Sequence, residues 1–212
     1  MTIAIVITLV CLAGLLVAES RDSTTGRIAT KPAASTGFIA VAITAGALDH
    51  PVGMAVVAGL VLSWFGDVFL ISKREPVFLA GLVSFLLGHV AYIVAFAMRG
   101  TSGLGLAVGA AVTIALAIPI GRWLLGHVKG PMRNAVLAYI VVICVMVTVA
   151  FGATFAGAPA LLLTGAILFF VSDITVARER FVQEGFVNRL VGLPLYYVGQ
   201  ILIAATAVAG VS

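Results

Sequence analysis

Charged side chains are scarce in this chain. Only 9% of its 212 residues are Asp, Glu, Lys or Arg, whereas 62% are hydrophobic. A soluble domain carries about 25% charged residues, so the scarcity excludes an ordinary soluble protein. The apolar runs are also too long for the alternating strands of a β-barrel. We therefore predict an all-α, polytopic membrane protein that forms a single transmembrane helical domain over residues 1–212.

Cysteine and histidine are rare as well. Cys11 and Cys144 both fall inside apolar runs, so no disulfide framework is expected. His50 and His127 lie in loops on opposite sides of the predicted membrane, and so they cannot join His89 in a zinc site. The sequence also lacks a GxSxG nucleophile motif, a plausible Cys–His pair and a phosphate-binding loop. We expect neither a metal nor another cofactor.

Long apolar segments fill most of the chain. Polar residues, proline and glycine separate them, as is typical of the connections between membrane helices. Eight such segments can be drawn, and we expect about eight transmembrane helices. They cover residues 3–18, 33–49, 52–72, 76–98, 103–121, 134–154, 158–177 and 190–210.

The basic residues support this count because they fall almost entirely on one side. The loops after segments 1, 3, 5 and 7 contain all but one of them, and the exception is Arg99. By the positive-inside rule these loops are cytoplasmic, both termini lie outside, and the membrane is expected to be a bacterial cytoplasmic membrane. The net charge of +4 then reflects contact with lipid headgroups rather than with nucleic acid. The basic residues of these loops are Arg21, Arg27, Lys31, Lys73, Arg74, Arg122, Lys129, Arg133, Arg178, Arg180 and Arg189.

Two aspartates interrupt the apolar segments, Asp67 in segment 3 and Asp173 in segment 7. An acid inside a membrane helix costs about 2–4 kcal/mol or more unless it faces the protein interior or water, so it marks a functional site by default. Each aspartate lies eight residues after a glycine, Gly59 or Gly165, and shortly before a basic cluster. This likeness predicts a four-plus-four internal repeat and a single site shared by both acids.

Further polar side chains are predicted at a similar depth, in the half of the bilayer nearer the basic loops. Ser63 lies one helical turn before Asp67, so its hydroxyl can hydrogen-bond the carboxyl. As a substrate-binding residue, Tyr197 is favoured over its neighbour Tyr196. The candidate substrate-binding residues from this pattern are Lys31, Ser63, His89, Tyr92, Tyr139, Tyr197 and Gln200.

Two carboxyls in a pocket of low dielectric can titrate differently, so one can act as a general acid and the other as a general base. This arrangement suits hydrolysis of an acid-labile bond through an oxocarbenium-like state. A site near the headgroups favours a lipid substrate. Two alternatives stay open, a proton-coupled transporter and a non-enzymatic lipid-binding protein. The aspartates could also serve only in helix packing.

Several motifs resemble one known family. They are GDVFLI at 66–71, HVAY at 89–92, GAILFFVSDITVA at 165–177 and LYYVGQILIA at 195–204, together with Lys31-Pro32 at the start of segment 2. In this order they resemble the YhhN-like integral membrane family, which includes animal alkenylglycerophospholipid hydrolases, or lysoplasmalogenases. The resemblance extends over nearly the whole chain.

The resemblance implies hydrolysis of the vinyl-ether bond of a lysoplasmalogen, which yields a fatty aldehyde and glycerophospho-ethanolamine or glycerophospho-choline. It implies that Asp67 and Asp173 are the catalytic residues, and it adds Ser172 to the pocket residues named above. The implied partners are a lysophospholipid substrate and membrane lipids. The continuation of segment 7 as ITVARERF is more basic than expected for the family.

Overall fold

The computed structural model describes residues 1–130 and 132–210, so Pro131 in the loop before segment 6 and the last two residues lie outside the described residues. Within that part of the chain all regular structure is helical. Eight α-helices and one short 3₁₀ helix follow one another without a strand. They are α1 (Thr2–Ser20), α2 (Thr24–Thr44), the 3₁₀ helix Ala47–Asp49, α3 (Pro51–Phe69), α4 (Glu75–Ala97), α5 (Gly103–Leu125), α6 (Met132–Phe155), α7 (Ala160–Phe181) and α8 (Phe186–Ala205).

The prediction of an all-α polytopic membrane protein is confirmed. Of the helices in residues 1–130 and 132–210, seven are long and apolar enough to cross a membrane. The exception is α2, whose first half is polar and contains Arg27 and Lys31. Its polar residues do not all face outward, since Ser35 is fully buried. The polarity of α2 therefore serves contacts inside the bundle.

Several helix boundaries differ from the predicted segments. Helix α2 begins at Thr24 rather than at residue 33, because Ser23 caps its first turn by accepting a hydrogen bond from the Gly26 amide at 3.2 Å. Pro32 therefore lies inside α2 and does not open it. Helix α7 continues to Phe181, since the run of arginine and glutamate after Asp173 favours helix and extends it beyond the apolar segment.

The helices pack as four antiparallel hairpins, α1–α2, α3–α4, α5–α6 and α7–α8. Helix α8 also contacts α1, α2 and α3, while α4 contacts α6. An aromatic cluster lies where these helices meet. The Phe169 ring is 4.6 Å from the ring of His89 and 5.2 Å from that of Tyr196, measured between centroids. This cluster forms the centre of the core.

The two ends of the bundle differ in charge. We call the end that carries the loops after α1, α3, α5 and α7 the basic end. Ion pairs join loops and helix ends here, since Lys73 lies 2.8 Å from Glu184 and Arg189 of α8 lies 3.1 Å from Glu19 of α1. At the opposite end Arg99 donates hydrogen bonds to three carbonyls at the end of α8, those of Thr206, Ala207 and Ala209. Carbonyls at a helix C-terminus lack partners within the helix, and here the guanidinium supplies donors to them.

Candidate active site

Asp67 lies two residues before the end of α3 and is buried, with 2% of its surface exposed. Its Oδ2 accepts hydrogen bonds from Ser35 Oγ at 2.6 Å and from the Tyr196 hydroxyl at 2.7 Å. Its Oδ1 lies 3.4 Å from the ammonium of Lys31. An ionised carboxyl in an apolar interior needs such partners, and here α2 and α8 provide them.

Tyr197 contacts the partners of Asp67 and does not line the cavity. Its hydroxyl lies 3.1 Å from Ser35 Oγ and donates to the Lys31 carbonyl at 3.3 Å. It is fully buried and does not reach Asp67 in a direct hydrogen bond. Tyr197 therefore orients α2 residues, whereas Tyr196 contacts the carboxyl itself.

Asp173 lies in α7 and forms a second cluster. Its Oδ2 accepts a hydrogen bond from the Tyr139 hydroxyl at 2.9 Å and lies 3.2 Å from His89 Nε2. The Asp173 side chain is 17% exposed, and the His89 side chain is fully buried. The Oδ1 atom makes no hydrogen bond to the described part of the chain, so it is available to a bound molecule.

Tyr92 and Gln200 form a buried layer behind the two carboxyl clusters. The Tyr92 hydroxyl donates to Gln200 Oε1 at 2.7 Å, which links α4 to α8. Gly59 makes room for Tyr92, because a methyl group on this glycine would lie 2.5 Å from the tyrosine ring. These residues hold α3, α4 and α8 together close to the site.

The two carboxyls have matched sets of partners. Asp67 on α3 contacts Lys31 on α2 and Tyr196 on α8. Asp173 on α7 contacts Tyr139 on α6 and His89 on α4. In each case the third helix of one half meets the second helix of its own half and the fourth helix of the other half. The arrangement is the one that a four-plus-four repeat would produce, although the repeat itself stays a prediction.

One cavity of about 470 Å³ connects the two clusters. Asp67 and Asp173 both line it, together with Lys31, Tyr139 and Tyr196. The cavity has a charged mouth at the basic end and an apolar wall, part of which lies deeper in the bundle. The mouth is lined by Glu19, Arg27, Lys73, Glu179, Arg180, Glu184 and Arg189, and the wall by Leu82, Phe85, Ala117, Ile120, Trp123, Leu124, Val136, Ile140, Ile143 and Phe170.

Ion pairs surround the mouth. Arg189 lies within 2.8–3.3 Å of carboxyl oxygens of Glu19, Glu179 and Glu184, and Arg27 lies 2.9 Å from Glu19. A hydrogen bond from Arg27 also lowers the pKa of the exposed Asp22 next to this network. Arg180 packs over the ring of Phe78 with 4.4 Å between its guanidinium carbon and the ring centroid. The mouth therefore offers both signs of charge to a bound molecule.

The structure brings some predicted residues to the cavity and leaves others behind it. Besides the two aspartates, Lys31, Tyr139 and Ser172 line the cavity. The Ser172 hydroxyl donates to the Phe169 carbonyl of its own helix at 2.7 Å. The predicted residues behind the cavity wall are Ser63, His89, Tyr92, Tyr197 and Gln200.

The expected hydrogen bond from Ser63 to Asp67 is wrong. Ser63 Oγ donates instead to the Gly59 carbonyl of its own helix at 2.9 Å, an acceptor that is always within reach one turn back. Ser35 takes the expected role. It could have been found from its spacing, since it lies one turn after Lys31 on the same face of α2. Tyr196 was also missed as a direct partner of Asp67, because adjacent residues of a helix give no spacing signal.

Among residues 1–130 and 132–210, no group of three or more His, Cys, Asp or Glu side chains is arranged to hold a metal ion. Away from its charged mouth, the polar groups at the cavity are instead hydrogen-bond donors and the carboxyls of Asp67 and Asp173. Such a set suits proton transfer and the recognition of a polar or charged group.

The fold and the cavity define an integral membrane protein in which the carboxyls of Asp67 and Asp173 line one amphiphilic cavity. A model of the YhhN family matches residues 26–207, and the chain belongs to this family. The resemblance seen in the sequence motifs is thereby confirmed. No solved structure matches the chain.

Two curated relatives resemble the chain over most of its length. The bovine (Bos taurus) protein named lysoplasmalogenase TMEM86A is 33% identical over 167 residues, which cover 76% of this chain and 68% of the relative. The human (Homo sapiens) protein of the same name is 32% identical over 170 residues, with the same coverage of both chains.

Proposed function

We propose that this protein is a membrane-embedded hydrolase that cleaves the vinyl-ether bond of lysoplasmalogens. The products would be a fatty aldehyde and glycerophospho-ethanolamine or glycerophospho-choline. The observation that carries the proposal is the cavity lined by both Asp67 and Asp173, with charged groups on one side and apolar groups on the other. The names of the two mammalian relatives point to the same substrate class.

The amphiphilic cavity suits a phospholipid with one chain. The vinyl-ether bond of a lysoplasmalogen lies between a charged glycerophospho group and a long hydrocarbon chain. In the cavity the carboxyls also lie between a charged mouth and an apolar wall. A lysolipid with its headgroup at the mouth would therefore present its ether bond to the carboxyls.

The chemistry needs one proton donor and one group that stabilises positive charge. Protonation of the vinyl carbon that is not bonded to oxygen gives an oxocarbenium ion. Water adds to its oxygen-bearing carbon and loses a proton, so the catalytic proton is returned. The resulting hemiacetal breaks down to the aldehyde and the glycerol hydroxyl. One water is consumed in total.

We assign the two roles from the surroundings of each carboxyl. Both oxygens of Asp67 already face donors, since Oδ2 accepts from Ser35 and Tyr196 and Oδ1 lies beside Lys31, so neither is free to pass a proton to the substrate and Asp67 would stabilise the oxocarbenium ion. Asp173 uses only Oδ2 for Tyr139 and His89. Its Oδ1 would hold the proton that is donated to the substrate.

The orientation of the protein in the membrane is part of the same proposal. The basic end would face the cytoplasm and both termini would lie outside, as the positive-inside rule predicts. The enzyme would then take its substrate from the cytoplasmic leaflet of a bacterial cytoplasmic membrane. Depth favours a hydrolase over a carrier, since carriers usually bind near the bilayer midplane and Asp67 lies only two residues from the end of α3.

The test is incubation of the detergent-purified protein with a panel of lysolipids and detection of the products by mass spectrometry. We expect aldehyde from lysoplasmalogens and none from the matching saturated ether lysolipids. In water enriched with heavy oxygen, the glycerophospho product should keep its normal mass, because the water oxygen enters the aldehyde. Absence of products, together with substrate flux in proteoliposomes, would favour a transporter and overturn the proposal.

A further inference from the structure

A second cavity lies between α5, α6 and α7. It has a volume of about 180 Å³. Its floor consists of buried side chains, Thr113, Val147 and Phe170. The Thr113 hydroxyl donates to the Gly109 carbonyl at 2.9 Å and lies 3.0 Å from Thr148 Oγ1, so it is engaged with neighbouring helix atoms. The cavity is therefore an apolar groove.

The rim of this groove is exposed on the outer surface of the bundle. Leu116 on α5 is 45% exposed, and Val171 on α7 is 37% exposed. Both side chains line the groove. In a membrane the outer surface of these helices faces lipid chains. The groove consequently opens sideways between α5 and α7.

The groove adjoins the cavity that holds the carboxyls. Ile120, Phe170 and Ile174 line both of them. Along α7 the groove runs from Ile174, next to Asp173, back to Ile167. These seven residues correspond to about 10 Å along the helix axis, directed away from the basic end.

We infer that this α5–α7 groove holds the hydrocarbon chain of the substrate, and that the chain enters the protein sideways from the bilayer through it. The inference rests on the proposed function and adds a determinant of chain length to it. With the vinyl ether beside Asp173, the headgroup points to the charged mouth and the chain follows Phe170 and Ile174 into the groove. A long chain fills the groove and a short chain ends before it.

Bulky side chains at the rim test this inference. Leu116→Trp and Val171→Trp narrow the groove, while Ile114→Trp places the same bulk on the outer surface of α5 outside either cavity. We expect kcat/KM for a long-chain lysoplasmalogen to fall by about tenfold relative to a short-chain one in both groove variants. The Ile114→Trp protein should resemble the wild type with both substrates. Equal effects on both chain lengths, or no effect, would overturn the inference.

Photolabelling provides a readout that does not need catalysis. The probe is a non-hydrolysable ether lysolipid with a diazirine at the end of its chain. In the wild type we expect label on the groove segments of α5 and α7, and in Leu116→Trp a loss of most of it. Label distributed over the outer helix surfaces would overturn the inference. Groove labelling without aldehyde release would support the chain site and contradict only the proposed hydrolase.

Discussion

At the scale of single residues, the cost of a buried charge explains the neighbours of each aspartate. Lys31 supplies a compensating charge to Asp67, and hydroxyl groups from α2 and α8 supply hydrogen bonds. Truncating one member of such a cluster leaves the others without a partner. The surroundings of the carboxyls are therefore as important to the account as the carboxyls themselves.

Tyr196 and Tyr197 are adjacent but differ in what they contact. The Tyr196 hydroxyl donates to Asp67 directly, whereas the Tyr197 hydroxyl contacts Ser35 and the Lys31 carbonyl. We expect Tyr196→Phe to lower kcat by about tenfold or more and Tyr197→Phe to have a smaller effect. Steady-state kinetics of aldehyde release measures both. A larger loss in Tyr197→Phe would contradict the assignment.

Two serines provide a second matched pair. The sequence favoured Ser63 as the partner of Asp67, but in the structure Ser35 donates to the carboxyl and Ser63 to its own helix. We expect Ser35→Ala to reduce kcat clearly, because Asp67 loses one hydrogen bond that is worth about 1.5–3 kcal/mol when charged. Ser63→Ala should stay within about twofold of the wild type. A larger loss of kcat in Ser63→Ala than in Ser35→Ala would contradict the assignment of Ser35 as the partner of Asp67.

At the scale of helices, the apolar segments predicted the elements but not all of their ends. The segment limits follow hydropathy, which reports membrane thickness rather than helix length. Helix α2 extends beyond its apolar part because of the Ser23 cap, and α7 extends through its charged residues. Helix packing was predicted only in part, since contacts such as that of Tyr92 with Gln200 join residues more than a hundred positions apart.

Close packing of α7 and α8 depends on two facing glycines. A methyl group on Gly165 would lie 2.8 Å from the Gly199 carbonyl oxygen, a backbone atom that cannot rotate away. We expect Gly165→Ala to destabilise the protein by about 1–3 kcal/mol and to lower its melting temperature in detergent. Gly103→Ala is the matched control, because no described atom lies within 4 Å of the added methyl. Equal melting temperatures for both variants would contradict this packing.

Arg99 stabilises the end of α8 far from the site. Its guanidinium donates to the carbonyls of Thr206, Ala207 and Ala209 at 2.6–2.7 Å. We expect Arg99→Ala to lower the melting temperature, because the terminal carbonyls lose the guanidinium as a donor. Arg21→Ala, which removes an exposed arginine at the basic end, should leave the melting temperature unchanged. Intact stability in Arg99→Ala would mean that water satisfies these carbonyls.

At the scale of the whole molecule, charge and hydropathy predicted the membrane class, and the scarcity of acids in the apolar segments predicted the carboxyl pair. Asp67 and Asp173 could be singled out because acids are rare in apolar helices. The cavity could not be predicted in the same way, since its wall contains ordinary apolar residues such as Ile120 and Phe170. The identity of these lining residues depends on how helices distant in sequence pack together.

The orientation of the molecule makes a separate prediction. In a protein without Cys11 and Cys144, single cysteines at Asp22 and Asp49 would lie in exposed loops at the basic end and the opposite end. We expect a membrane-impermeant maleimide added to intact spheroplasts to label Asp49→Cys but not Asp22→Cys. Labelling of Asp22→Cys alone would reverse the proposed orientation and move the site to the outer leaflet.

The central claim is that the carboxyls of α3 and α7 act on one bound substrate. Its most direct test is aldehyde release by Asp67→Asn, Asp173→Asn and the double variant, with the exposed Asp49→Asn as control and a melting curve for each protein. We predict a loss of about 100-fold or more in each single variant. The double variant should release aldehyde only slightly more slowly than the less active single variant, because the effects of residues that act as a unit are not additive. A folded single variant with wild-type activity would contradict the account.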